Sequence, residues 1–474
     1  MAVLETPLGT PRTHVGLPLA LVMASALLTG CITLEKPPSS DELAAQILPG
    51  EAPVPGQFTA GGTTPGPVEA NWLETFADPD LDALVTEAIL HNSDLQTAAA
   101  RVLQAAGYVQ AAGGKLYPTV DLLARGGSGL GDSTGLEGGL LSASWELDVW
   151  GRVRYSVRGQ KAKYAASQGD FEYARQSLAA LVAKSWFLAT EALLQRQVVS
   201  EMVDAAGRLL DLASQRYRVG AGSELDVASA RVNLDTYRDN LRQLDLSRDQ
   251  ALRSLELLVG RYPAAAIETA PVLGTLPSSV PVGLPSELLE RRPDVLAAEQ
   301  RVAAAFNFTH EAKAARLPRF SLTGSISDLS SEFFVIKNRD NPVWSVGGTV
   351  FAPLFSGGEL RAKVQIRTAE QMEAMAHYVQ TALKAFGDVE NALSTEFALA
   401  DREQILTSAV SDSQRALDLA QMRYQIGSGD LRQVEQQQLT YQNSRMNLLR
   451  VQSERLVQRV NLHLALGGDF APAA

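Results

Sequence analysis

The chain has 474 residues, of which 46% are hydrophobic and 20% charged, and its formal net charge is -11 at pH 7. This is the composition of a folded protein, and an acidic surplus without a block of lysines and arginines argues against nucleic acid as a partner. Five scattered histidines and one cysteine leave little for a zinc site or a Cys/His nucleophile and exclude an intrachain disulfide, so carboxylate enzymes are the main catalytic class left open.

The first thirty residues read as an export signal. Their apolar stretch, from 15 to 28, is shorter than the roughly 20 residues of a membrane-spanning helix. It ends at Leu28-Thr29-Gly30-Cys31, which resembles a bacterial lipoprotein box; a plain signal with an incidental cysteine is the alternative. We therefore predict a covalent lipid on Cys31 and no other cofactor, and an irregular, proline-rich tether behind it.

The rest of the chain is one unit of about 200 residues used twice. Residues 92–118 align without a gap with 292–318 at a shift of 200, and residues 151–260 align with 358–467 at a shift of 207. This period is too long for a solenoid repeat and indicates an internal pseudo-twofold. The predicted segments are a signal peptide at 1–30, a lipidated tether at 31–70, a first repeat at 71–270, a second repeat at 271–467 and a tail at 468–474.

Each repeat is predicted to begin with an alanine-rich helix, at 93–117 and at 293–317, which ends at a proline because proline cannot continue a helix. Two segments follow in which polar and apolar residues alternate, as in half-exposed strands. The predicted strands are 119–126, 142–149, 320–328 and 343–354.

A long helix, a tight turn and a return helix complete each repeat. From 151 to 217 there is no proline in 67 residues, and apolar or small side chains recur at a 3-4 spacing. The spacing resumes after Gly220 and Gly222, which supply the backbone freedom that a helical hairpin turn needs. At 1.5 Å per residue the long helix measures about 100 Å, and the shorter helices stacked end to end would match it.

No stretch after Cys31 is predicted to cross a bilayer as a helix, so a crossing would need the strands of a closed barrel. Four strands are too few, since barrels need about eight or more, but three chains would supply twelve. Ser144, Glu146 and Asp148 share one face of the strand at 142–149 and would line a wet barrel lumen, while the apolar residues between them would face lipid.

Three segments carry a family resemblance: Trp72–Leu81, Leu284–Val295 and Leu354–Gly358. They resemble the signatures of TolC-like outer-membrane efflux proteins, in the lipoprotein branch that serves resistance-nodulation-division (RND) pumps. The resemblance implies a mainly helical fold with a small β part, and a homotrimer that forms a twelve-stranded barrel in the outer membrane and a twelve-helix barrel in the periplasm. It also implies a periplasmic adaptor docked on the hairpin turns and an inner-membrane RND pump that supplies the energy.

By that resemblance, adaptor docking and pore closure take place at the hairpin turns, although ordinary hairpins with no further role are the alternative. The predicted docking residues are Arg216, Tyr217, Gly220, Gly222, Arg423, Tyr424, Gly427 and Gly429. The pore-closing candidates are Asp226, Tyr424, Asp430, Gln433 and Gln436. The two glutamines stand where family members often carry inward aspartates, so an acidic ring would have to use Asp430 or Glu435.

The sequence is compatible with three classes of function. The first is a lipid-anchored outer-membrane exit duct for drugs or other small molecules, with metal ions or secreted proteins as other cargo. The second is a periplasmic coiled-coil adaptor or scaffold, which would not need the four predicted strands. The third is a hydrolase with Glu146 and Asp148 as its acid and base. We disfavour it because the fold offers no enclosed pocket to shift their pKa values, and we predict no enzymatic activity and no metal site.

Overall fold

The structure, a computed structural model, describes residues 34–48, 54–60, 71–125, 137–330 and 343–468. The predicted signal peptide, Cys31, parts of the tether, both strand-to-strand loops and the residues after 468 lie outside the described residues.

Helices dominate the described ranges. They are α1 (Ser40–Ala44), α2 (Pro79–His91), α3 (Ser93–Gly114), α4 (Arg152–Arg218), α5 (Glu224–Val259), α6 (Pro285–Arg291), α7 (Pro293–Ala314), α8 (Glu359–Gln425) and α9 (Leu431–Ala465). The two long helices, α4 and α8, each have 67 residues. The predicted order of short helix, two strands, long helix and return helix is thus confirmed in both repeats.

In the part of the chain that the structure describes, four strands form one antiparallel sheet in the order β1-β2-β3-β4. They are β1 (Thr119–Arg125), β2 (Glu137–Leu147), β3 (Arg319–Ser330) and β4 (Val343–Phe351). The central pairing joins the two repeats, because β2 belongs to the first and β3 to the second, with Ala143 opposite Gly324. Within the described ranges, strands β1 and β4 are each paired along one edge.

The start of β2 was predicted too late, at 142 instead of Glu137, and the ends of β2 and β4 were predicted two and three residues too far along the chain. The strand predicted at 142–149 ends at Leu147, because the Asp148 carboxylate accepts hydrogen bonds from the backbone N–H groups of Val153 and Arg154, each at 2.9 Å, and so caps α4. The strand predicted at 343–354 ends at Phe351, two residues before Pro353, whose nitrogen has no hydrogen to donate to a sheet.

The chain divides into two compact units, which cut across the sequence repeats. The strand unit contains the sheet together with residues 106–162 and 302–373, and hence the ends of α3, α4, α7 and α8 that adjoin it. Its buried side chains form small clusters, one of which joins Ala162, Ala304 and Phe308.

The helical unit contains residues 39–105, 163–301 and 374–474. Its main core gathers Trp72 and Phe76 around Trp186 and Phe187 of α4. An 18-residue stretch of α4 is apolar enough to cross a membrane by composition, but 56% of it is buried, so packing inside the protein accounts for its character.

Candidate functional site

The first hairpin turn joins α4 to α5 through two glycines with different tasks. The Ala221 N–H donates to the Arg216 carbonyl at 2.8 Å and closes the end of α4, while Gly220 takes the left-handed φ of 75° that this closure requires. A Cβ on Gly222 would lie 3.0 Å from the Cβ of Arg216, so this position is restricted by close approach.

The second turn repeats this geometry 207 residues later. The Ser428 N–H donates to the Arg423 carbonyl at 2.9 Å, Gly427 has φ 82°, and a Cβ on Gly429 would lie 2.9 Å from Arg423. The prediction that these glycines form equivalent turns is therefore confirmed.

The two aspartates among the predicted pore-closing residues lie at the N-termini of the return helices. Ser223 and Asp226 form a capping box at α5, in which the Ser223 hydroxyl accepts from the Asp226 N–H and the Asp226 carboxylate accepts from the Ser223 N–H. Asp430 caps α9 by accepting from the Arg432 N–H at 3.1 Å. Each carboxylate is thereby fixed at the positive end of a helix dipole.

Arg216 links the two turns. Its Nη1 donates to the Tyr424 carbonyl at 2.6 Å, and its guanidinium carbon lies 4.7 Å from the centre of the Tyr424 ring. The same side chain donates to the Ala221 carbonyl within its own turn. One residue therefore connects the first hairpin to the second through a hydrogen bond and a cation–π contact.

The equivalent tyrosines of the two turns have different surroundings. Tyr424 is 3% exposed and packs with Ala213, Ala230 and Leu431, whereas Tyr217 is 48% exposed. The Tyr424 hydroxyl has no hydrogen-bond partner among the residues that the structure describes. Burial raises the pKa of this hydroxyl, with an opposing effect from Arg216. Of the two predicted docking tyrosines, only Tyr217 presents much surface.

Glu435 lies near the buried side chain of Tyr424. Burial raises the pKa of its carboxyl, a hydrogen bond from Asn233 opposes that effect, and the charges of Asp226 and Asp430 raise the pKa further. The neighbouring Gln433 and Gln436 are exposed on α9. Glu435 is therefore close enough to Asp226 and to Asp430 to feel the charge of each.

The apolar surface of the turns was missed by the sequence reasoning. Val219, Leu225 and Ile426 are 77%, 66% and 74% exposed. Val219 and Ile426 are equivalent residues, each directly before the left-handed glycine of its turn. A β-branched apolar residue at a solvent-facing turn of both repeats was the available signal, since isolated turns are usually polar.

The residues predicted to line a barrel lumen lie in the strand unit. The Ser144 hydroxyl on β2 is 2.9 Å from that of Thr119 on β1. Glu146 forms a bidentate ion pair with Arg152, at 2.7 and 3.0 Å, and Asp148 pairs with Arg154 at 3.1 Å. Placing Asp148 on the strand was wrong, because it belongs to the cap of α4.

In the described ranges there is no group of three or more His, Cys, Asp or Glu side chains that could hold a metal ion.

Comparison with known proteins gives concordant matches. A family model described as outer membrane efflux protein matches residues 84–261 and 284–468. The pyoverdine export outer membrane protein OpmQ of Pseudomonas aeruginosa is 31% identical over 470 residues, which cover 95% of this chain and 97% of OpmQ. The probable outer membrane lipoprotein SilC of Salmonella typhimurium is 25% identical, with 94% and 97% covered. The solved outer-membrane channel OprN superposes with a TM-score of 0.79 at 26% identity, covering 88% of this chain and 97% of OprN.

Proposed function

Because the chain belongs to the outer membrane efflux protein family and is an outer-membrane efflux channel, we propose that it is the passive exit duct of a tripartite efflux system. In this system an inner-membrane RND pump supplies the energy, and a periplasmic adaptor joins the pump to the hairpin turns. No step at this component requires chemistry, so we propose no enzymatic activity for it.

A homotrimer is supported by the unpaired strand edges. Among the residues that the structure describes, strands β1 and β4 have no second neighbour, and every residue of β4 is exposed. An unpaired strand edge leaves a row of backbone N–H and C=O groups without partners and therefore needs a cover. Pairing β4 of one chain with β1 of the next would cover both edges, and three chains would close twelve strands into a barrel.

Adaptor docking at the hairpin turns is supported by the exposed apolar residue that each turn presents. Val219 and Ile426 stand at equivalent places in two turns that Arg216 ties together. Apolar side chains held on rigid turns are the usual anchors of a protein interface, because they are desolvated on binding at little entropic cost.

Lipidation of Cys31 is supported by the lipoprotein box and by the similarity to SilC, a probable outer membrane lipoprotein. The first described residues after the cysteine are docked on the strand unit: the Glu35 N–H donates to the Tyr155 hydroxyl at 2.9 Å, and Leu34 is buried beside Gly151. This docking would hold the lipid near the sheet.

We propose that the cargo is a small molecule. The name of OpmQ, a pyoverdine export protein, supports export of small molecules. Selection among substrates would lie in the pump, because the described part of this chain offers no metal cluster and its exposed turn surface is suited to a protein partner.

The test combines pore formation with efflux. We expect the purified protein to conduct ions across a planar bilayer. In cells that express it with the adaptor and pump of its host, Val219→Asp with Ile426→Asp should abolish crosslinking to the adaptor and raise the accumulation of a fluorescent pump substrate several-fold. Leu246→Asp, which changes a residue 56% exposed on the side of α5, is the matched control and should change neither. Unchanged efflux and crosslinking in the turn variant would refute adaptor docking there, and the absence of conductance would refute the duct.

A further inference from the structure

Helix α9 carries a carboxylate that has no counterpart in the first repeat. At the shift of 207, Glu435 stands for Ala228 of α5, so the two hairpins differ here by a titratable group. The neighbouring buried side chains of α9 are uncharged, and they pack against the first hairpin; they are Leu431, Val434 and Gln438. Glu435 therefore lies at the edge of the contact between the second hairpin and the first.

One oxygen of this carboxyl group is buried. The side chain of Glu435 is half-buried as a whole, but its Oε1 atom is inaccessible and has no hydrogen-bond partner among the residues that the structure describes. An ionised carboxylate is strongly disfavoured in such a position, because a buried charge needs partners. A neutral carboxyl group loses far less when it leaves water. The site therefore favours the protonated form of Glu435.

The first hairpin presents both a partner and a like charge to Glu435. The Asn233 side chain of α5 donates a hydrogen bond to the carboxyl group. Asp226 lies at the start of the same helix, and its capping box with Ser223 holds its carboxylate in place. Tyr237, one turn beyond Asn233, is buried, and its pKa is raised by this burial and by the charge of Glu435. An ionised Glu435 is thus repelled by the first hairpin at Asp226.

The second hairpin adds a further fixed negative charge. Asp430 caps α9 through the Arg432 N–H, and the exposed Arg432 side chain opposes its effect on Glu435. Tyr424 of α8, with Arg216 of the first hairpin over its ring, also feels the charge of Glu435. Burial acts most strongly on Glu435, and together with the two aspartates it raises the pKa of this carboxyl group above its ordinary value.

We propose that Glu435 is a proton-operated latch between the two hairpins, and that its protonated form holds α9 against α5. As a neutral acid, Glu435 is no longer repelled by Asp226 and Asp430, and it gains a hydrogen that it can donate. As a carboxylate it is more stable in water than at this contact, so its ionisation loosens the packing of α9 on α5. This regulation goes beyond the exit duct, since it requires neither an adaptor nor a pump.

Acid should therefore tighten the contact between α5 and α9. In the packed arrangement the pKa of Glu435 is raised, whereas in a loosened arrangement the carboxyl group meets water and has its ordinary pKa of about 4.3. The packed arrangement binds the proton more tightly, so its population grows as the pH falls and declines as the pH rises through the raised pKa. Each pKa unit of difference corresponds to an about tenfold change in the ratio of the two arrangements.

Amide hydrogen exchange followed by mass spectrometry tests the latch in the full lipidated chain. Exchange rates in residues 431–441 are compared at about pH 7.5 and about pH 5.5, after correction for the intrinsic pH dependence of amide exchange. Glu435→Gln keeps the size of the side chain and removes its titration. Glu224→Gln is the matched control, because it removes a carboxylate from an exposed position in the first turn of α5. Difference infrared spectra over the same pH range report the carboxyl groups that take up a proton.

We expect the corrected exchange of residues 431–441 to be at least about threefold slower at the lower pH in the parent chain and in Glu224→Gln. Glu435→Gln should exchange slowly at both pH values, and its infrared band of newly protonated carboxyl groups should be smaller than that of Glu224→Gln. An equal pH response of exchange in Glu435→Gln and the parent would overturn the latch, as would equal infrared bands in the two glutamine variants. Neither result bears on the exit duct, which the conductance measurement tests separately.

Discussion

Asn92 and Arg292 are equivalent residues of the two repeats, and each donates a side-chain hydrogen bond to a backbone carbonyl. The two acceptor carbonyls, of Leu258 and Ala465, are equivalent as well. Asn92 Nδ2 donates to the Leu258 carbonyl at 3.0 Å, and Arg292 Nη1 donates to the Ala465 carbonyl at 3.3 Å. Both acceptors lie in the last turn of a return helix, where carbonyls lack intrahelical partners. The duplication has therefore retained a contact while exchanging the side chain that makes it.

Replacing Arg292 by alanine should destabilise the fold strongly. The guanidinium is 2% exposed, and it also forms a bidentate ion pair with Asp294 and a 3.1 Å contact with Asp388. Removal of one member of a buried ion pair costs about 3 kcal/mol or more, because it strands the partner carboxylates. Thermal unfolding followed by circular dichroism would show this, with the exposed Arg253→Ala as control, expected to change stability by less than about 0.5 kcal/mol. Equal shifts in the two variants would contradict the assignment.

Alanine at two kinds of glycine should act in opposite directions. Gly427→Ala forces alanine into a φ of 82° and should cost about 1 kcal/mol or more. Gly207→Ala fills a helical position of α4 with open space around it and should stabilise by about 0.5–1 kcal/mol. Hydrogen exchange of the turn amides in both variants is the measurement. Faster exchange around residue 427 after Gly207→Ala, or no change after Gly427→Ala, would refute the expectation.

Arg216→Ala should loosen the link between the two turns. It removes a hydrogen bond and a cation–π contact, together worth about 1–2 kcal/mol at a partly exposed site. We expect amide hydrogen exchange in residues 419–430 to rise by roughly an order of magnitude. Tyr424→Phe is the control, since the ring is retained and the lost hydroxyl had no partner among the described residues. If Tyr424→Phe raises the exchange as much as Arg216→Ala does, the Tyr424 hydroxyl and not Arg216 links the two turns.

Acid should destabilise the helical unit through His463. This imidazole is 2% exposed, stacks on Trp72 at 5.7 Å, and burial lowers its pKa to about 3. A folded-state pKa below the unfolded value of about 6.5 means that the unfolded chain binds the proton first, so stability is complete above pH 6.5 and is lost as the pH falls towards 3. The loss should approach about 1.4 kcal/mol per pH unit. The pKa of His310 is also lowered by burial, and it contributes in the same direction.

The variant His463→Leu isolates this effect. Denaturant unfolding between pH 7 and pH 5 should show a smaller loss of stability in His463→Leu than in the parent chain. His91→Leu, at an exposed histidine, should leave the pH dependence as it is. If the parent and His463→Leu lose the same stability over this range, His463 does not control acid sensitivity.

The amino-acid sequence by itself determined the repeated architecture. The two long helices, the turn glycines and the four strands follow from periodicity, proline positions and backbone preference, each of which acts between residues close in the chain. The duplication repeats each local signal, so Gly220 and Gly427 occupy the same left-handed position in equivalent turns.

Only the tertiary structure decided which face of each element is covered. Tyr217 and Tyr424 read alike in sequence, yet Tyr424 is buried beneath Arg216 and Tyr217 is not. Asp148 continues the alternating pattern of a strand, yet its carboxylate caps the first turn of α4. Burial and pairing depend on side chains far away in the chain, as when Arg216 reaches a residue 208 positions later. Local patterns carry no record of such contacts.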